Sequence, residues 1–327
     1  MAFTTTEVAE AVPQSLASYQ FEEASEFGVP KAGAGAEALL AGYTFEDHDL
    51  ATRYTWKFLR DEPRRQIDQV WNNVMEADNR LVPGTILQRL FTPTERVNEQ
   101  GNRVFGLWNG TDGLAPLPHL ALEFDSSTAH YIASGQNIID SQDIEDAVRM
   151  ITKGYGRVNN ARILILANPI QAEAITTWRA GKESRVAVSP ETSGLVAKWD
   201  FVPSTDAPPY LTDQNIVGQV APAEFAGLKV LGSYGEAWVI PSNLIPQGYV
   251  AVVATSGPNS TANAVGVRIH PNSAYQGLRL IPGRDQRYPL IEAYAARSFG
   301  VGVRHRSSAV CIRLTTGSYT GPTGIAV

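Results

Sequence analysis

Side chains that commonly do chemistry are few in this sequence and stand far apart. The five histidines include no pair spaced four residues apart, and the only cysteine, Cys311, lies in an apolar run typical of a strand. A zinc site needs several such ligands at short spacings, so these residues do not predict one. The acidic stretch Glu46–Asp49 lacks the spaced oxygen ligands and the turn glycine of a calcium loop. The sequence contains neither a nucleophile elbow nor a phosphate-binding loop. We therefore predict no catalytic residue, no cofactor site and no metal site.

Charge is distributed unevenly along the chain. Residues 1–50 carry nine acidic residues and one lysine, whereas residues 268–313 carry eight arginines and two acidic residues. Arginine pairs with carboxylates through two parallel hydrogen bonds, which favours ion pairing between subunits or domains. Solvated surface and nucleic-acid binding are the alternatives, but aromatic residues seldom alternate with the basic ones and the pI is near 5.5. We predict that the acidic segment pairs with the arginines across subunits, mainly through Arg284, Arg287, Arg304 and Arg306.

The composition is that of an ordered globular protein. The 327 residues are 43% hydrophobic and 18% charged, and a chain of this length buries about 75% of its unfolded surface. The longest apolar runs, such as Ile163–Ala167 and Tyr249–Ala254, are much shorter than the roughly 20 residues that cross a membrane. The first residues show no basic region followed by an apolar core, so we expect no secretory signal. A single cysteine cannot form an intramolecular disulfide, which suits folding in a reducing cytoplasm.

The first eighty residues predict an extended arm followed by a helix. Residues 1–50 show little periodicity, and one helical turn is predicted at Glu37–Ala41. A helix is predicted to begin at Asp61-Glu62-Pro63, because apolar residues then recur at helical spacing. These apolar residues are Ile67, Val70, Trp71 and Val74.

Two strand-like segments are predicted after this helix. Leu81–Phe91 and Arg103–Trp108 flank a turn-rich middle, a pattern that predicts a long hairpin. Few of its residues alternate in polarity near the tip, and a two-stranded hairpin by itself is marginal in water. The hairpin must therefore lie on another surface, either a neighbouring subunit or, as the alternative, its own domain.

The middle of the chain predicts a helix, a buried strand and a second helix. The first helix begins at Asp140-Ser141 and ends at Gly154. Its apolar stripe consists of Ile144, Val148 and Ile151. Ala161–Ala167 is an apolar strand, and Asn168-Pro169 caps a helix that is predicted to run to Gly181.

The last hundred residues predict several strands. A strand signal after Leu228 is broken by Pro241 and Pro246 and followed by the apolar run to Ala254. Near the end, Phe299, Val301 and Val303 alternate with glycines and Arg304, and a turn follows at Ser307-Ser308. A last apolar run, Ala309–Leu314, completes what the pattern predicts to be a hairpin.

This order of segments resembles the major capsid protein of tailed double-stranded-DNA phages, which has the Hong Kong 97 type fold, and most resembles members from phages of actinobacteria. The resemblance extends over residues 140–314 and is carried by the order of segments. It implies an α+β fold with an N-terminal arm, an extended loop (E-loop), a peripheral domain with a spine helix, and an axial domain. The implied limits are 1–60 for the arm, 61–80 for the helix leading into the hairpin, 81–125 for the E-loop, 126–160 for the peripheral domain with the spine helix, 161–265 for the axial domain, 266–314 for the closing strands of the peripheral domain, and 315–327 for a C-terminal tail.

The resemblance also implies a function. The chain is expected to assemble into hexamers and pentamers of an icosahedral shell, which encloses double-stranded DNA without sequence-specific binding. The expected location is the virion capsid, after folding in the cytoplasm of the host bacterium, and no membrane is involved. Expected partners are portal and scaffolding proteins and a decoration or cement protein. Two alternatives stay open: the shell protein of an encapsulin compartment, and an uncharacterised α+β enzyme.

Two further expectations concern how subunits are held together. The candidate inter-subunit contacts are Arg89, Arg96, Arg103, Trp108, Arg284, Arg287, Arg304 and Arg306. Some relatives join neighbours by an isopeptide bond from a lysine in the E-loop, and residues 81–130 contain no lysine. We therefore expect no crosslink of this type. We also expect separate scaffolding and no large N-terminal cleavage, because fifty residues are few for a scaffold segment.

Overall fold

Two β-sheets organise the chain. The structure is a computed structural model that describes residues 2–14, 37–113, 115–116, 124–154, 161–185, 195–205, 221–283 and 290–325. A seven-stranded sheet contains the last strand of the chain, and a five-stranded sheet contains the strand before it. The segment between these two strands joins the sheets. Strands and helices are numbered in chain order.

The seven-stranded sheet has the spatial order β7-β18-β14-β8-β13-β12-β9. Its strands are β7 (Tyr131–Ala133), β8 (Arg162–Ala167), β9 (Phe201–Pro203), β12 (Gly232–Tyr234), β13 (Ala237–Pro241), β14 (Tyr249–Thr255) and β18 (Ala309–Arg313). Strand β14 is an interior strand of this sheet and is antiparallel to both β8 and β18. Both faces of this strand are covered, in agreement with the uninterrupted apolar run from Tyr249 to Ala254. The predicted buried strands at 161–167 and 249–254 are confirmed.

The five-stranded sheet is built around one long strand. Its members are β1 (Ala2–Thr5), β4 (Glu46–Thr55), β15 (Val265–Ile269), β16 (Leu278–Pro282) and β17 (Leu290–Val303). One edge of β17 pairs with β15 and then with β16, while β4 pairs along its other edge over ten residues. Strand β1 adds to β15 in parallel. Three small two-stranded units are β2 (Ala9–Gln14) with β3 (Glu37–Gly42), β5 (Arg96–Val97) with β6 (Arg103–Val104), and β10 (Glu224–Phe225) with β11 (Leu228–Lys229).

The four α-helices of the described residues are α1 (Trp56–Asp61), α2 (Arg64–Phe91), α3 (Ser141–Gly154) and α4 (Pro169–Thr176). Helix α3 begins as predicted, since the Asp143 amide donates to Asp140 Oδ1 over 3.0 Å. Helix α4 is capped by Asn168, whose Oδ1 accepts from the Ile170 amide. It ends at Thr176, earlier than the predicted Gly181.

The hydrophobic core lies on both faces of the seven-stranded sheet. On one face, the predicted stripe of α3 is fully buried against Ile165 and Val252. On the other face, Leu164 and Val253 pack with residues from the end of α2. Those α2 residues are Leu87, Leu90 and Phe91. Alternate residues of one strand therefore serve two separate clusters, as the two-residue period of a strand requires.

The predicted strand at Leu81–Phe91 is wrong, because α2 runs through these residues. Pro83 lies inside the helix and is exposed, and a proline there costs about 3 kcal/mol. The apolar residues that close α2 recur at helical spacing and are buried, which outweighs this cost. Residues 92–108 contain buried Phe105 and Leu107 and fold onto their own chain. This agrees with the alternative prediction, in which the segment lies on its own domain. Only strands β5 and β6, in the second half of the predicted hairpin, pair as a hairpin.

Three other sequence-based expectations need correction. The predicted helical turn at Glu37–Ala41 is strand β3, because it pairs with β2. Strands β17 and β18 do not form a hairpin, since they belong to different sheets on either side of the turn near Ser307. In the predicted stripe of α2, only Val74 is buried.

The predicted domain limits do not coincide with breaks between the sheets. The seven-stranded sheet takes β7 from the segment 126–160, β18 from the segment 266–314, and its other strands from 161–265. The described part of the tail also lies on the body, where the Tyr319 hydroxyl donates to the Phe91 carbonyl over 2.7 Å. The names and limits of the domains remain a prediction.

Candidate functional site

The segment Arg304–Ser308 carries the chain from one sheet to the other. Its backbone is tied on three sides. The Arg304 amide donates to the Ala264 carbonyl over 2.8 Å, the Ala254 amide donates to Ser308, and the Trp108 amide donates to Arg306. We call Arg304–Ser308 the junction. It brings together residues that are up to 300 positions apart in the sequence.

Arg306 is the buried cation of the junction. Its Nε donates to the Gly106 carbonyl over 2.9 Å, and Nη2 donates to the Leu107 carbonyl over 3.0 Å. Nη1 donates to Asp112 Oδ1 over 2.8 Å, so the charge is neutralised inside the chain. A paired buried arginine of this kind fixes the segment 105–112 on the junction, because unpairing it would leave a buried charge.

Arg304 joins the acidic N-terminal segment to the junction. Its Nε and Nη2 donate to the two carboxylate oxygens of Glu10 over 2.7 and 2.9 Å, and the Tyr43 hydroxyl donates to the same carboxylate over 2.7 Å. The guanidinium also lies 4.2 Å from the centre of the Phe3 ring. Burial opposes ionisation of Glu10, but the hydrogen bonds from Arg304 and Tyr43 outweigh it and lower the pKa of Glu10. The predicted pairing between the acidic segment and the arginines exists here, but within one chain.

Glycine 106 allows this part of the molecule to pack closely. A Cβ atom at this position would lie 2.6 Å from the Tyr131 hydroxyl and 2.8 Å from Arg89 Nη2. The Tyr131 hydroxyl accepts from the Leu107 amide over 3.0 Å and lies 3.0 Å from the Thr92 carbonyl. Neither Gly106 nor Tyr131 stood out in the sequence. No sequence signal marks them, because their partners come from distant segments.

Arg89 lies in the last turn of α2 and is 4% exposed. Its Nη2 donates to the Thr92 and Thr94 carbonyls over 2.7 and 2.8 Å. Trp108 is also buried, and its Nε1 donates to Thr128 Oγ1 over 3.1 Å. These N–H groups of Arg89, Trp108 and Arg306 all donate to acceptors in the same chain.

The other candidate contacts are more exposed. Arg103 pairs with Glu95 over 2.6 Å, and Arg96 lies 3.5 Å from Glu46. All four side chains are about half exposed. Arg284 and Arg287 lie outside the described residues.

The chemistry of the junction is ion pairing and hydrogen bonding. No group of three or more metal-ligating side chains occurs among the residues that the structure describes. Burial raises the pKa of the Cys311 thiol well above its usual value, which makes it a poor nucleophile. Within the same part of the chain, no helix is long and apolar enough to cross a membrane.

Comparison with solved structures finds relatives over nearly the whole chain. A structure from Mycobacterium phage Patience is 34% identical, has a TM-score of 0.79 and is matched over 98% of this chain and 83% of its own. The capsid of an empty GTA particle is 13% identical with a TM-score of 0.53, over 96% of this chain and 88% of its own. The holo-SrpI encapsulin complex from Synechococcus elongatus PCC 7942 is 10% identical with a TM-score of 0.52, over 99% and 89%. No protein-family model and no curated protein matches the sequence.

The last two relatives share the fold alone, whereas the first is close enough to show the family. Two sheets joined by an ion-paired junction therefore belong to a fold that this chain shares with the capsid of the GTA particle and with the encapsulin. The chain belongs to the major capsid proteins of tailed phages, which have the Hong Kong 97 type fold. Its function is to form the capsid shell, and its location is the virion capsid.

Proposed function

We propose that this chain assembles into hexamers and pentamers that close an icosahedral shell around double-stranded DNA. The family supports assembly into a capsid. The observation that carries the finer proposal is an apolar surface on the five-stranded sheet, which a single chain leaves uncovered.

This surface lies on the outer strands of the five-stranded sheet. Leu50 of β4 and Leu280 of β16 both lie opposite Ala295 of β17, so the three side chains share one face, on which Ala295 itself is buried and the two leucines are exposed. Leu50 is 44% exposed and Leu280 is 57% exposed. In β4 only Thr52 is buried. Exposed apolar surface of this kind marks an interaction site, and a second copy of the chain is the occupant that a shell supplies.

The length of α2 supports a different choice of spine helix from the one predicted at 141–154. At 28 residues α2 is about 42 Å long, whereas the 14-residue α3 lies within the core of the seven-stranded sheet. The salt bridge from Arg297 to Asp78 ties α2 to β17 over 2.5 Å. We propose that α2 is the spine helix. We further propose that β4, α1 and the adjoining parts of β16 and β17 act as the extended loop that lies on a neighbour.

Moving the extended loop changes the expectation about covalent crosslinks. That expectation rested on the absence of lysine from residues 81–130. Lys57 lies in α1 and is exposed, so the proposed loop does contain an amine. The proposed loop therefore meets the requirement of a lysine crosslink for an amine. Denatured particles on a gel decide the matter, since a crosslink gives a ladder of oligomers and its absence gives monomer alone.

The remaining features of the shell follow from the family and the charge. Within the proposal, the chain has no catalytic activity and folds in the host cytoplasm with separate scaffolding and portal proteins. A decoration or cement protein is a further candidate partner. DNA is enclosed without sequence-specific contacts, which the net charge of −6 favours. An encapsulin compartment is the alternative, and nucleic acid inside native particles would exclude it.

Electron microscopy of the purified full chain tests the proposal. Wild type should form closed shells with five- and six-fold capsomers. Leu280→Asp should abolish shells while the free chain keeps its melting temperature, because this side chain is already exposed in the single chain. Leu280→Met is the matched control and should still assemble. Shells formed equally well by Leu280→Asp would show that this surface is not an interface.

A further inference from the structure

Arg89 is a buried cation with no carboxylate partner among the described residues. Its Nη2 is bonded to two backbone carbonyls, but Nε and Nη1 are buried and have no acceptor in the part of the chain that the structure describes. An uncompensated buried charge costs several kcal/mol, so such donors require a partner. The last turn of α2 contributes partial negative charge, but its Gln88, Leu90 and Phe91 carbonyls already accept from the hydroxyls of Thr92, Tyr131 and Tyr319.

A small cavity lies beside this guanidinium. It has a volume of about 50 Å³ and is lined by Thr44, Glu46, His48, Gln88, Arg89 and Arg96, among others. His48 contributes a second buried nitrogen, Nε2, which has no hydrogen-bond partner in the described chain and is a donor in the tautomer that carries the proton there. The ring of His48 packs on Phe299 at 5.3 Å, which fixes its position. Two side chains with buried, unpartnered nitrogen atoms therefore line one cavity.

The local charge balance is positive. Burial lowers the pKa of Arg89, the Tyr131 hydroxyl opposes this shift, and the nearby charges of Arg96 and Arg306 add to it, so that the net direction is downward. Asp112 neutralises Arg306. Glu46 is the only acidic residue lining the cavity among the described residues, and it lies 3.5 Å from Arg96 with both side chains half exposed. That leaves the charge of Arg89 without a counter-ion.

We propose that this cavity binds a small inorganic anion, chloride in size and charge, through Arg89 Nε and Nη1 and through His48 Nε2. A space of about 50 Å³ holds one or two bodies the size of a water molecule, which suits a halide. The neighbouring hydroxyls of Thr44 and Thr92 already donate to backbone carbonyls, so the arginine and the histidine supply the donors. The 4% exposure of Arg89 disfavours a protein side chain from outside as the occupant.

The position of the anion gives it a structural role. The cavity lies between the end of α2, the start of β4 and β17, where Val301 forms part of its wall. A bound anion would therefore tie α2 to the five-stranded sheet. Because an ion that binds only the folded chain stabilises it by mass action, stability should rise with chloride concentration.

Thermal unfolding of the full-length, unassembled chain tests this proposal. Chloride is titrated against gluconate at constant ionic strength, because gluconate is too large for the cavity. The melting temperature of wild type should rise with chloride, and bromide should replace it. Arg89→Gln should abolish the response or raise the half-saturating chloride concentration at least tenfold. His48→Phe keeps the ring packing and should weaken the response several-fold, which gives a second measurement if Arg89→Gln does not fold.

The matched control is Arg179→Gln. Arg179 lies just beyond α4 and also donates to two backbone carbonyls, those of Thr176 and Trp178. It should keep the full chloride response of wild type. A wild-type melting temperature that does not depend on chloride would overturn the proposal, as would an unchanged response in Arg89→Gln. If chloride has no effect and Arg89→Gln loses only assembly, the counter-charge is a carboxylate of a second copy and the anion site is excluded.

Discussion

The two sheets of this capsid protein differ in how much of their stability lies within one chain. In the seven-stranded sheet, every residue of β14 after Tyr249 is buried and both faces are covered by other parts of the same chain. In the five-stranded sheet, β4 has a single buried residue in ten. The first sheet is a complete core, whereas the second leaves apolar surface for a neighbour. Within our proposal, the seven-stranded sheet is complete in the single chain and the outer strands of the five-stranded sheet are covered on assembly.

The junction connects the two sheets, so breaking it should have the largest effect. Arg306→Gln removes the cationic partner of the buried carboxylate of Asp112, and we expect a loss of about 3–5 kcal/mol in the free energy of unfolding. Denaturant unfolding of the unassembled chain measures it. A double-mutant cycle with Asp112→Asn should recover part of the loss. The Arg304–Glu10 and Arg306–Asp112 ion pairs both lie within one chain, so glutamine at either position should act on the free subunit itself.

A pair of alanine substitutions sharpens the comparison between the sheets. Ile165→Ala in β8 removes a fully buried side chain and should lower the free energy of unfolding by about 2–4 kcal/mol. Leu280→Ala in β16 removes an exposed side chain and should change it by less than about 0.5 kcal/mol in the free chain. Equal losses in the two variants would contradict the view that the outer part of the five-stranded sheet is uncovered in a single chain.

The link between Arg304 and Glu10 should contribute less, and it depends on pH. Arg304→Gln should cost about 2–3 kcal/mol, because a two-point, partly buried ion pair is lost. The pKa of Glu10 is lowered in the folded chain, so this stability is present above its unfolded pKa and is lost as pH falls through the folded pKa. The difference between wild type and variant should therefore shrink in acid. Arg313→Gln is the control. Arg313 donates to the Ser318 carbonyl and forms no salt bridge within the described residues. A constant difference across pH would argue against the ion pair.

Sequence reasoning recovered elements whose signal is local. The strand 161–167, the helix after Asp140 and the Asn168 cap are specified by neighbouring residues, and the structure confirms them. It failed at Leu81–Phe91, because Pro83 is a local signal against a helix and the burial that outweighs it comes from a distant sheet. The order of segments also identified the family.

The junction shows what local patterns cannot give. The arginines at 304 and 306 and the acidic segment were both recognised, but alternation at 299–303 predicted a hairpin where the chain in fact changes sheets. Arg304 and Glu10 form an ion pair although they are 294 residues apart in the sequence. Whether such a pair forms within a chain or between chains depends on the path of the backbone, and composition contains no information about that path.

A further effect, smaller than those of the two arginine pairs, concerns half-buried Asp143 at the start of α3. Burial, aided by the charge of Asp140, raises the pKa of Asp143 to about 7. The folded chain therefore keeps a proton that the unfolded chain has lost between about pH 4 and pH 7, and its stability should fall as pH rises through that window. Asp143→Asn removes the ionisable group while its side-chain oxygen can still accept from the Asp140 amide. After allowance for solvent screening, we expect the variant to be more stable than wild type by about 1–2 kcal/mol at pH 8 and about equal at pH 4.

Asp146→Asn provides the comparison on the same helix, because Asp146 is partly exposed and pairs with Arg149 over 3.0 Å. It should show no such gain at pH 8. Melting temperatures of the three chains at pH 4, 6 and 8 separate the cases. If Asp143→Asn destabilises the chain at pH 8, then ionised Asp143 is needed as a cap for α3. In that case the face of the seven-stranded sheet under α3 tolerates a charge as readily as the exposed outer strands of the five-stranded sheet do.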